Sequence, residues 1–375
     1  LAVTALWYWI EPSVLPVATL PRVLCLLGLP LALWLLVRAA PRPPLARLIA
    51  RWFPEPDLEA DVTRVGLPAS LLGYTARAMA GGVPVPAGPA LPEGPGGDVV
   101  VVIQLESFVD PERLGGPKLP AMDLFRTRAA QYGRLRVPAH GAYTMRSEHA
   151  VLTGRPSESL GFGRFDPYTS RSGDEPTSLA RLAGGRGYGT LFLHPFHRDF
   201  FRRARVMEAF GFADLVMGEA FAEAPRVGPY VGDVALGARL LAEVRARRAP
   251  LFLFCVTMEN HGPWKPGRLP GIDDPQAQYL HHVAHTGQMV EDLVAGLDAI
   301  ARERGQTITL CVFGDHAPSL PSCKPGFGGR TTEYALFRFG RPHEAPQRAD
   351  IAADELGRAL RASLATAPAD IAAGT

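Results

Sequence analysis

Charge of one sign is the first thing this chain lacks. Across 375 residues, 39 basic side chains face 37 acidic ones, a formal net charge of +2. A dedicated nucleic-acid binder carries a strong basic excess, so no nucleic-acid partner is expected. Cysteine is scarce as well. Cys25, Cys255, Cys311 and Cys323 show no CxxC or metal-type spacing and no disulfide framework. They read as small buried hydrophobes and leave the compartment open. No internal repeat is found. An initiating Met is missing and the chain opens inside an apolar stretch, so an N-terminally incomplete sequence is expected. No small-residue cleavage site of the signal-peptide kind follows cleanly.

Apolar sequence is what the chain has, 47% of it, enough for a substantial core in one large domain or two small ones. The run Val23–Val37 (VLCLLGLPLALWLLV) is uninterrupted and falls just short of the ~20 apolar residues a spanning helix needs. Trp34, then Arg38, Arg42 and Arg47, have the character of interfacial anchors. Residues 1–38 are therefore expected to hold one membrane segment or parts of two, with a buried soluble helix as the other reading. Residues 39–97 are rich in Pro, Gly and Ala and end in GGVPVPAGPALPEGPGG. They read as a linker with one amphipathic helix, Leu45–Phe53, lying on the membrane.

From Asp98 the pattern changes. Strand-like apolar runs occur at Val99–Leu105, Leu135–Pro138, Gly189–His194, Leu251–Thr257, Thr307–Phe313 and Ala335–Phe339. Helical patterns lie between them at Ser178–Gly185, Gly232–Arg247 and Gln278–Arg304. Continuous apolar strands separated by helices predict an α/β fold, a mostly parallel central sheet with helices on both faces. That domain is drawn at 98–345, with a closing helix over Ala349–Ala365 in the tail, 346–375.

Ligands in such sheets collect beyond the carboxyl ends of the strands. The first strand delivers Glu106 there, and the last long one delivers Gly314-Asp315-His316. Oxygen ligands with one imidazole suit manganese, magnesium or zinc. In GAYTMRSEHAVLTG, small residues lead to Thr144 at the start of a helical stretch, where backbone N–H groups favour an anion. His261 follows a buried strand in PLFLFCVTMENHGPW. His194 ends another, with Arg203 nine residues on, and arginine's planar fork suits a phosphate oxygen. Singly, each has a plain structural reading. Glu106 could cap a helix and Gly314-Asp315-His316 could be a turn. Thr144 could be an N-cap with Glu148 supporting its first turn, and Arg202, Arg203 and Arg205 a solvated basic face. His281, His282 and His285 read as surface or packing residues.

The ordered set of five segments, over roughly residues 98–340, resembles the lipoteichoic acid synthase branch of the sulfatase/alkaline phosphatase superfamily. That branch shows a strand ending in a metal-binding Glu, a nucleophilic Thr, a His-x(8)-Arg substrate segment, an N-H-x-P loop and a strand ending in G-D-H. Here these fall on Glu106, Thr144, His194 with Arg203, Asn260 to Pro263, and Gly314 to His316. The resemblance implies one divalent metal, Mn2+ first and Mg2+ or Zn2+ as alternatives, held by Glu106, Thr144, Asp315 and His316. It implies Thr144 and His261 as catalytic residues, and His194, Phe201, Arg203 and His261 as substrate-binding ones.

The implied reaction moves glycerol phosphate from phosphatidylglycerol to an envelope glycan or polymer through a phosphothreonine. The phospholipid donor implies a membrane partner, with the catalytic domain outside the bacterial cytoplasmic membrane, although arginines after Val37 favour the opposite topology. There are departures. Phe201 stands where the family has a stacking Trp, and His285 and Gly287 where Tyr and Asp are usual. Thr144-Met-Arg-Ser-Glu lacks the C/S-x-P-x-R context of sulfatases proper, so sulfate-ester hydrolysis is not expected. A phosphoethanolamine transferase or phosphodiesterase on the same site is the alternative, and a non-catalytic envelope protein is the reading from another class.

Overall fold

The computed structural model describes residues 43–79, 98–168, 177–247, 250–323 and 330–365, with Gly28, Leu31, Trp34, Leu35 and Arg38 before them. Most of the apolar run Val23–Val37 lies outside the described residues. Among those described, no helix is long and apolar enough to cross a membrane.

Two compact units are resolved. The smaller holds three helices, α1 (Pro43–Trp52), α2 (Leu58–Val65) and α3 (Leu67–Met79), together with Leu160–Phe165. Sequence predicted a single helix here. Three form because Asp57 caps α2 through the Ala60 N–H and a small core closes over them. Phe53, Tyr74 and Phe162 are buried together, and the Tyr74 hydroxyl donates to buried Asp61 at 2.8 Å. Leu48, Trp52, Leu58, Leu67 and Leu71 remain exposed.

The larger unit runs in chain order through β1 (Val99–Leu105), α4 (Pro120–Arg128), β2 (Gln131–Arg136), α5 (Thr144–Thr153), α6 (Leu179–Gly184) and β3 (Gly189–Leu193). It continues with α7 (Arg203–Phe210), β4 (Asp214–Val216), β5 (Arg226–Val227), β6 (Tyr230–Val231), α8 (Asp233–Ala246) and β7 (Leu251–Val256). It closes with α9 (Pro275–Arg304), β8 (Ile308–Gly314), β9 (Thr331–Phe339), β10 (Gln347–Arg348), β11 (Ile351–Ala352) and α10 (Ala353–Ala365).

The sheet order is β10-β2-β9-β8-β1-β7-β3-β4, with β11 also on β2. β8, β1, β7, β3 and β4 are mutually parallel; β9 runs antiparallel to both β8 and β2. All seven residues of β1 are buried. Their side chains alternate between two cores, as strand geometry requires. Val99, Val101, Ile103 and Leu105 join one with residues of α4, α8 and α9. Val100 and Val102 join the other with residues of α5, α6, α7 and α10. Both faces are thus covered, which is why these strands read as unbroken apolar runs. Cys255, Cys311 and Cys323 are free and buried, in keeping with the reading as small buried hydrophobes, and Cys25 lies outside the described residues.

Candidate active site

Four adjacent strands, β8, β1, β7 and β3, end side by side and hand their next residues to one place. In register, Leu105 pairs with Gly314, so Glu106 and Asp315 leave the sheet as neighbours. Glycine is required at 314, because a Cβ there would lie 2.2 Å from the Phe108 carbonyl oxygen. Glu106, Asp315 and His316 present ligand atoms all within 4.8 Å of one another, all buried, and among the described residues they form the one such group.

Each is held by partners that leave a ligand atom inward. Asp315 Oδ1 accepts the Ser107 and His316 N–H groups at 2.8 Å each. Oδ2 is buried without a hydrogen-bond partner. His316 Nδ1 donates to the Ala317 carbonyl at 3.0 Å. Its Nε2 stands 3.5 Å from both Glu106 Oε1 and Asp315 Oδ2. Burial first, and then the Glu106 charge, push the Asp315 carboxyl up to about 7. Burial alone would lower His316, but Asp315 and Glu106 outweigh it and its pKa is raised. Two carboxylates and an unpartnered oxygen packed this closely fit a divalent cation, which supplies the missing positive charge.

Thr144 is the first residue of α5, placed by Tyr143 in the left-handed region at φ 66°. It sits at N1, one position inside the cap suggested by sequence. Its hydroxyl donates to Glu106 Oε2 at 3.4 Å. The same helix is tied further by Ser147, whose hydroxyl donates to the Asp315 carbonyl.

Glu148 does not support that first turn. It is fully buried and takes Arg203 Nη2 at 3.0 Å and the Tyr168 hydroxyl. Arg203 is 1% exposed; it is no solvated basic face. Its Nη1 donates to His194 Nε2 at 2.7 Å, and His194 Nδ1 donates to the Val256 carbonyl at 3.1 Å. Burial, with Arg203 next, lowers the His194 pKa well below 6.5, so the ring is neutral. Phe201 lies beside Arg203, its ring centre 5.9 Å from the guanidinium carbon.

His261 is half-buried on the loop after β7, its Nδ1 2.6 Å from the Gly262 carbonyl and 3.4 Å from the Tyr230 hydroxyl. Phe196, Phe200 and Tyr230 continue an aromatic wall from it. The adjacent Asn260 donates to the Glu106 carbonyl at 3.2 Å, so this loop helps fix the end of β1.

Behind this loop, sequence reading took His281, His282 and His285 as surface or packing residues and passed over Glu259. Glu259, fully buried, accepts from His282 Nδ1 (2.9 Å), His285 Nδ1 (2.7 Å) and the Asp233 N–H (2.7 Å). His281 is exposed, whereas His282 and His285 clamp a carboxylate. Three histidines at helical spacing and a Glu before Asn260 were the available signal. Among the described residues, four non-glycine residues have positive φ: Ser107, Tyr143, Phe201 and Arg202. Each adjoins a predicted site residue or a second one of the four, and strain of this kind clusters at functional sites.

A sulfatase family model matches residues 98–344. The chain belongs to the sulfatase family, within the alkaline phosphatase superfamily of enzymes. It is 31% identical over 370 residues to the capsular polysaccharide biosynthesis protein RkpI of Rhizobium meliloti (strain 1021), covering 94% of this chain and 68% of that one. Its fold is similar to that of Streptococcus pyogenes phosphoglycerol transferase GacH, solved with sn-glycerol-1-phosphate (TM-score 0.60, 18% identity, 74% of this chain and 77% of that chain). Listeria monocytogenes lipoteichoic acid synthase LtaP is similar too, at a TM-score of 0.57 and 18% identity over 73% of this chain and 74% of that chain. The fold is therefore that of the lipoteichoic acid synthase-like members of the superfamily.

Proposed function

We propose that this chain is a metal-dependent phosphotransferase that takes glycerol phosphate from phosphatidylglycerol onto Thr144 and passes it to an envelope polysaccharide or polymer. One observation carries the reading. The Thr144 hydroxyl lies at a helix N-terminus, against the cluster of Glu106, Asp315 and His316. Glu106, Asp315, His316 and Thr144 would hold a divalent cation, Mn2+ before Mg2+ or Zn2+, which would supply a lowered hydroxyl pKa and positive charge against a phosphoryl oxygen.

The chain's own groups do the rest. Thr144 Oγ attacks phosphorus in line, forming the Oγ–P bond as the bond to the diacylglycerol oxygen breaks. The Thr144 hydroxyl proton passes to solvent; a protonated His261 gives its proton to the departing alcohol and regains one from the acceptor hydroxyl, whose oxygen then bonds phosphorus as the Oγ–P bond breaks and Thr144 is reprotonated from solvent. The N–H groups at the start of α5 face the phosphoryl oxygens. His194, Phe201, Arg203 and His261 form the head-group side. The ligand of GacH supports glycerol phosphate as the transferred group, and the name of RkpI supports a polysaccharide acceptor. Exposed Leu48, Trp52, Leu58, Leu67 and Leu71 support a membrane-facing role for the small unit. We place the catalytic unit on the outer side of the cytoplasmic membrane.

A phosphoethanolamine donor is the second reading, and one observation favours keeping it. A free arginine would repel the ethanolamine cation, but Arg203 is already paired with Glu148. The test is diacylglycerol release from phosphatidylglycerol and phosphatidylethanolamine side by side, with mass spectrometry of the Thr144 peptide. Faster use of phosphatidylglycerol and a glycerophosphoryl adduct on Thr144 are expected. Faster phosphatidylethanolamine turnover would overturn the donor, and an unmodified Thr144 peptide during turnover would overturn the nucleophile.

A further inference from the structure

Helix α5 carries more than the nucleophile. Residues four apart lie on one helix face, so Glu148 stands one turn below Thr144. From Glu148 a closed chain of bonds leads to the end of β7. Tyr168 donates its hydroxyl to Glu148 Oε1, Arg203 Nη2 donates to Oε2, Arg203 Nη1 donates to His194 Nε2, and His194 Nδ1 donates to the Val256 carbonyl. Glu148, Arg203 and His194 are all buried to 1% exposure or less. Burial and the Glu148 charge keep Tyr168 protonated, hence a donor. Within this chain one nitrogen is left without a partner. Arg203 Nε is buried with no hydrogen-bond partner, and a buried donor is costly to leave unsatisfied.

Phe201 and Arg202, both left-handed at φ 54°, turn the chain so that α7 begins with Arg203 directed inward. An arginine brought inside at that conformational cost, and then held on two of its three nitrogens, has its third oriented by its partners. Burying an ion pair gains little stability over apolar packing, so fixing direction is its better-attested use.

We propose that Glu148 is a positioning residue for the head-group side of the site. It orients Arg203 so that Nε–H is the donor presented to a phosphate oxygen, and it cancels the guanidinium charge. Head groups are then distinguished by hydrogen bonding, not by charge. This rests on the reading of Arg203 as part of the donor site. It gives Tyr168 the supporting role of holding Glu148 from the other side.

The test measures KM for phosphatidylglycerol, metal affinity and melting temperature for Glu148→Gln, Tyr168→Phe, Arg203→Gln and the double variant Glu148→Gln/Arg203→Gln. Glu148→Gln is expected to raise KM about tenfold with metal affinity unchanged, and to add nothing to Arg203→Gln, since interacting sites are non-additive. Tyr168→Phe removes one hydrogen bond without leaving a charge unpaired; a KM rise of roughly two- to threefold at nearly unchanged melting temperature is expected. It serves if Glu148→Gln fails to fold. An unmoved KM in Tyr168→Phe, or KM effects of Glu148→Gln and Arg203→Gln that simply multiply, would overturn the proposal. Calorimetric binding of sn-glycerol-1-phosphate repeats the comparison without turnover. Wild-type binding that Tyr168→Phe and Glu148→Gln leave intact removes Glu148 alone. No wild-type binding and no lipid turnover overturns the donor reading together with it.

Discussion

Helix α5 touches two clusters of buried charge that are satisfied in opposite ways. On one side, Glu106 and Asp315 face each other with only His316 between them, and Asp315 Oδ2 has no hydrogen-bond partner. On the other, Glu148 meets Arg203 at 3.0 Å and both of its oxygens are used. The first cluster sets two carboxylates against one imidazole, and Asp315 and His316 hold their protons above the usual range. The second is nearly neutral and its histidine has lost its proton. Like charges forced together in a low-dielectric interior persist where a missing ion completes them, whereas a balanced pair is complete as folded. Two groups of similar composition thus separate into a place for a ligand and a brace for one. Thr144 lies at the first, and Glu148 joins the second to the same helix.

The comparison can be broken most directly at Thr144. Thr144→Ala removes the attacking oxygen and one of the four proposed ligands but leaves Glu106, Asp315 and His316, so turnover should fall by about 10³-fold or more while metal still binds. A variant retaining a few per cent of the rate would remove Thr144 from the role of nucleophile.

The next effect concerns stability, and it should have opposite signs on the two sides. Glu148→Gln leaves Arg203 buried and uncompensated, at a cost of about 3–5 kcal/mol. Asp315→Asn keeps an oxygen for the Ser107 and His316 N–H groups and removes a repelled charge. In the metal-free state it should therefore melt no lower than wild type, while losing metal affinity. Thermal melts in a chelator, with metal titrations alongside, read both. A large stability loss in metal-free Asp315→Asn would show that the first cluster is a structural one.

Which parts of this could be seen in the sequence follows from burial. β1, β7 and β8 were legible to within a residue or so because strands covered on both faces are continuous apolar runs. β2 was placed late, at Leu135–Pro138, because QYGRLR has only one buried side chain and carries no such run. β4, β10 and β11 are two or three residues long, too short for any periodicity. The antiparallel direction of β9 is a pairing fact that no pattern within the strand encodes. α9 starts at Pro275, three residues before the predicted start, although Asp274 followed by Pro at N1 was a readable cap. In the site, Glu106, Asp315 and His316 were legible as charges at strand ends. Glu148 was not, because four residues after a helix start a Glu reads equally well as a capping group. Its partner Arg203 is 55 residues away, and only folding makes the pair.

The smallest effect is a pH dependence, and it distinguishes the two clusters without any substitution. Asp315 is raised from 3.8 to about 7 by burial first and by Glu106 next, against His316, the Ser107 N–H and Thr144. A folded pKa above the unfolded one means the folded state binds the proton more tightly. The contribution of Asp315 to metal-free stability therefore falls as pH rises from about 4 and is lost above about 7. His316, also raised, acts in the same direction above 6.5. His194 acts in the opposite one: its folded pKa is depressed, so it destabilises as pH falls below 6.5. It does so equally with and without metal, and the difference between the two states cancels it. The gain in melting temperature on adding Mn2+ should accordingly be larger at pH 8 than at pH 5.5, because the cation replaces protons that are already gone at the higher pH. Melts at both pH values, in Mn2+ and in chelator, measure that gain. An equal or smaller gain at pH 8 would mean that Asp315 is ionised throughout, and the contrast between the two sides of α5 would then rest on geometry alone.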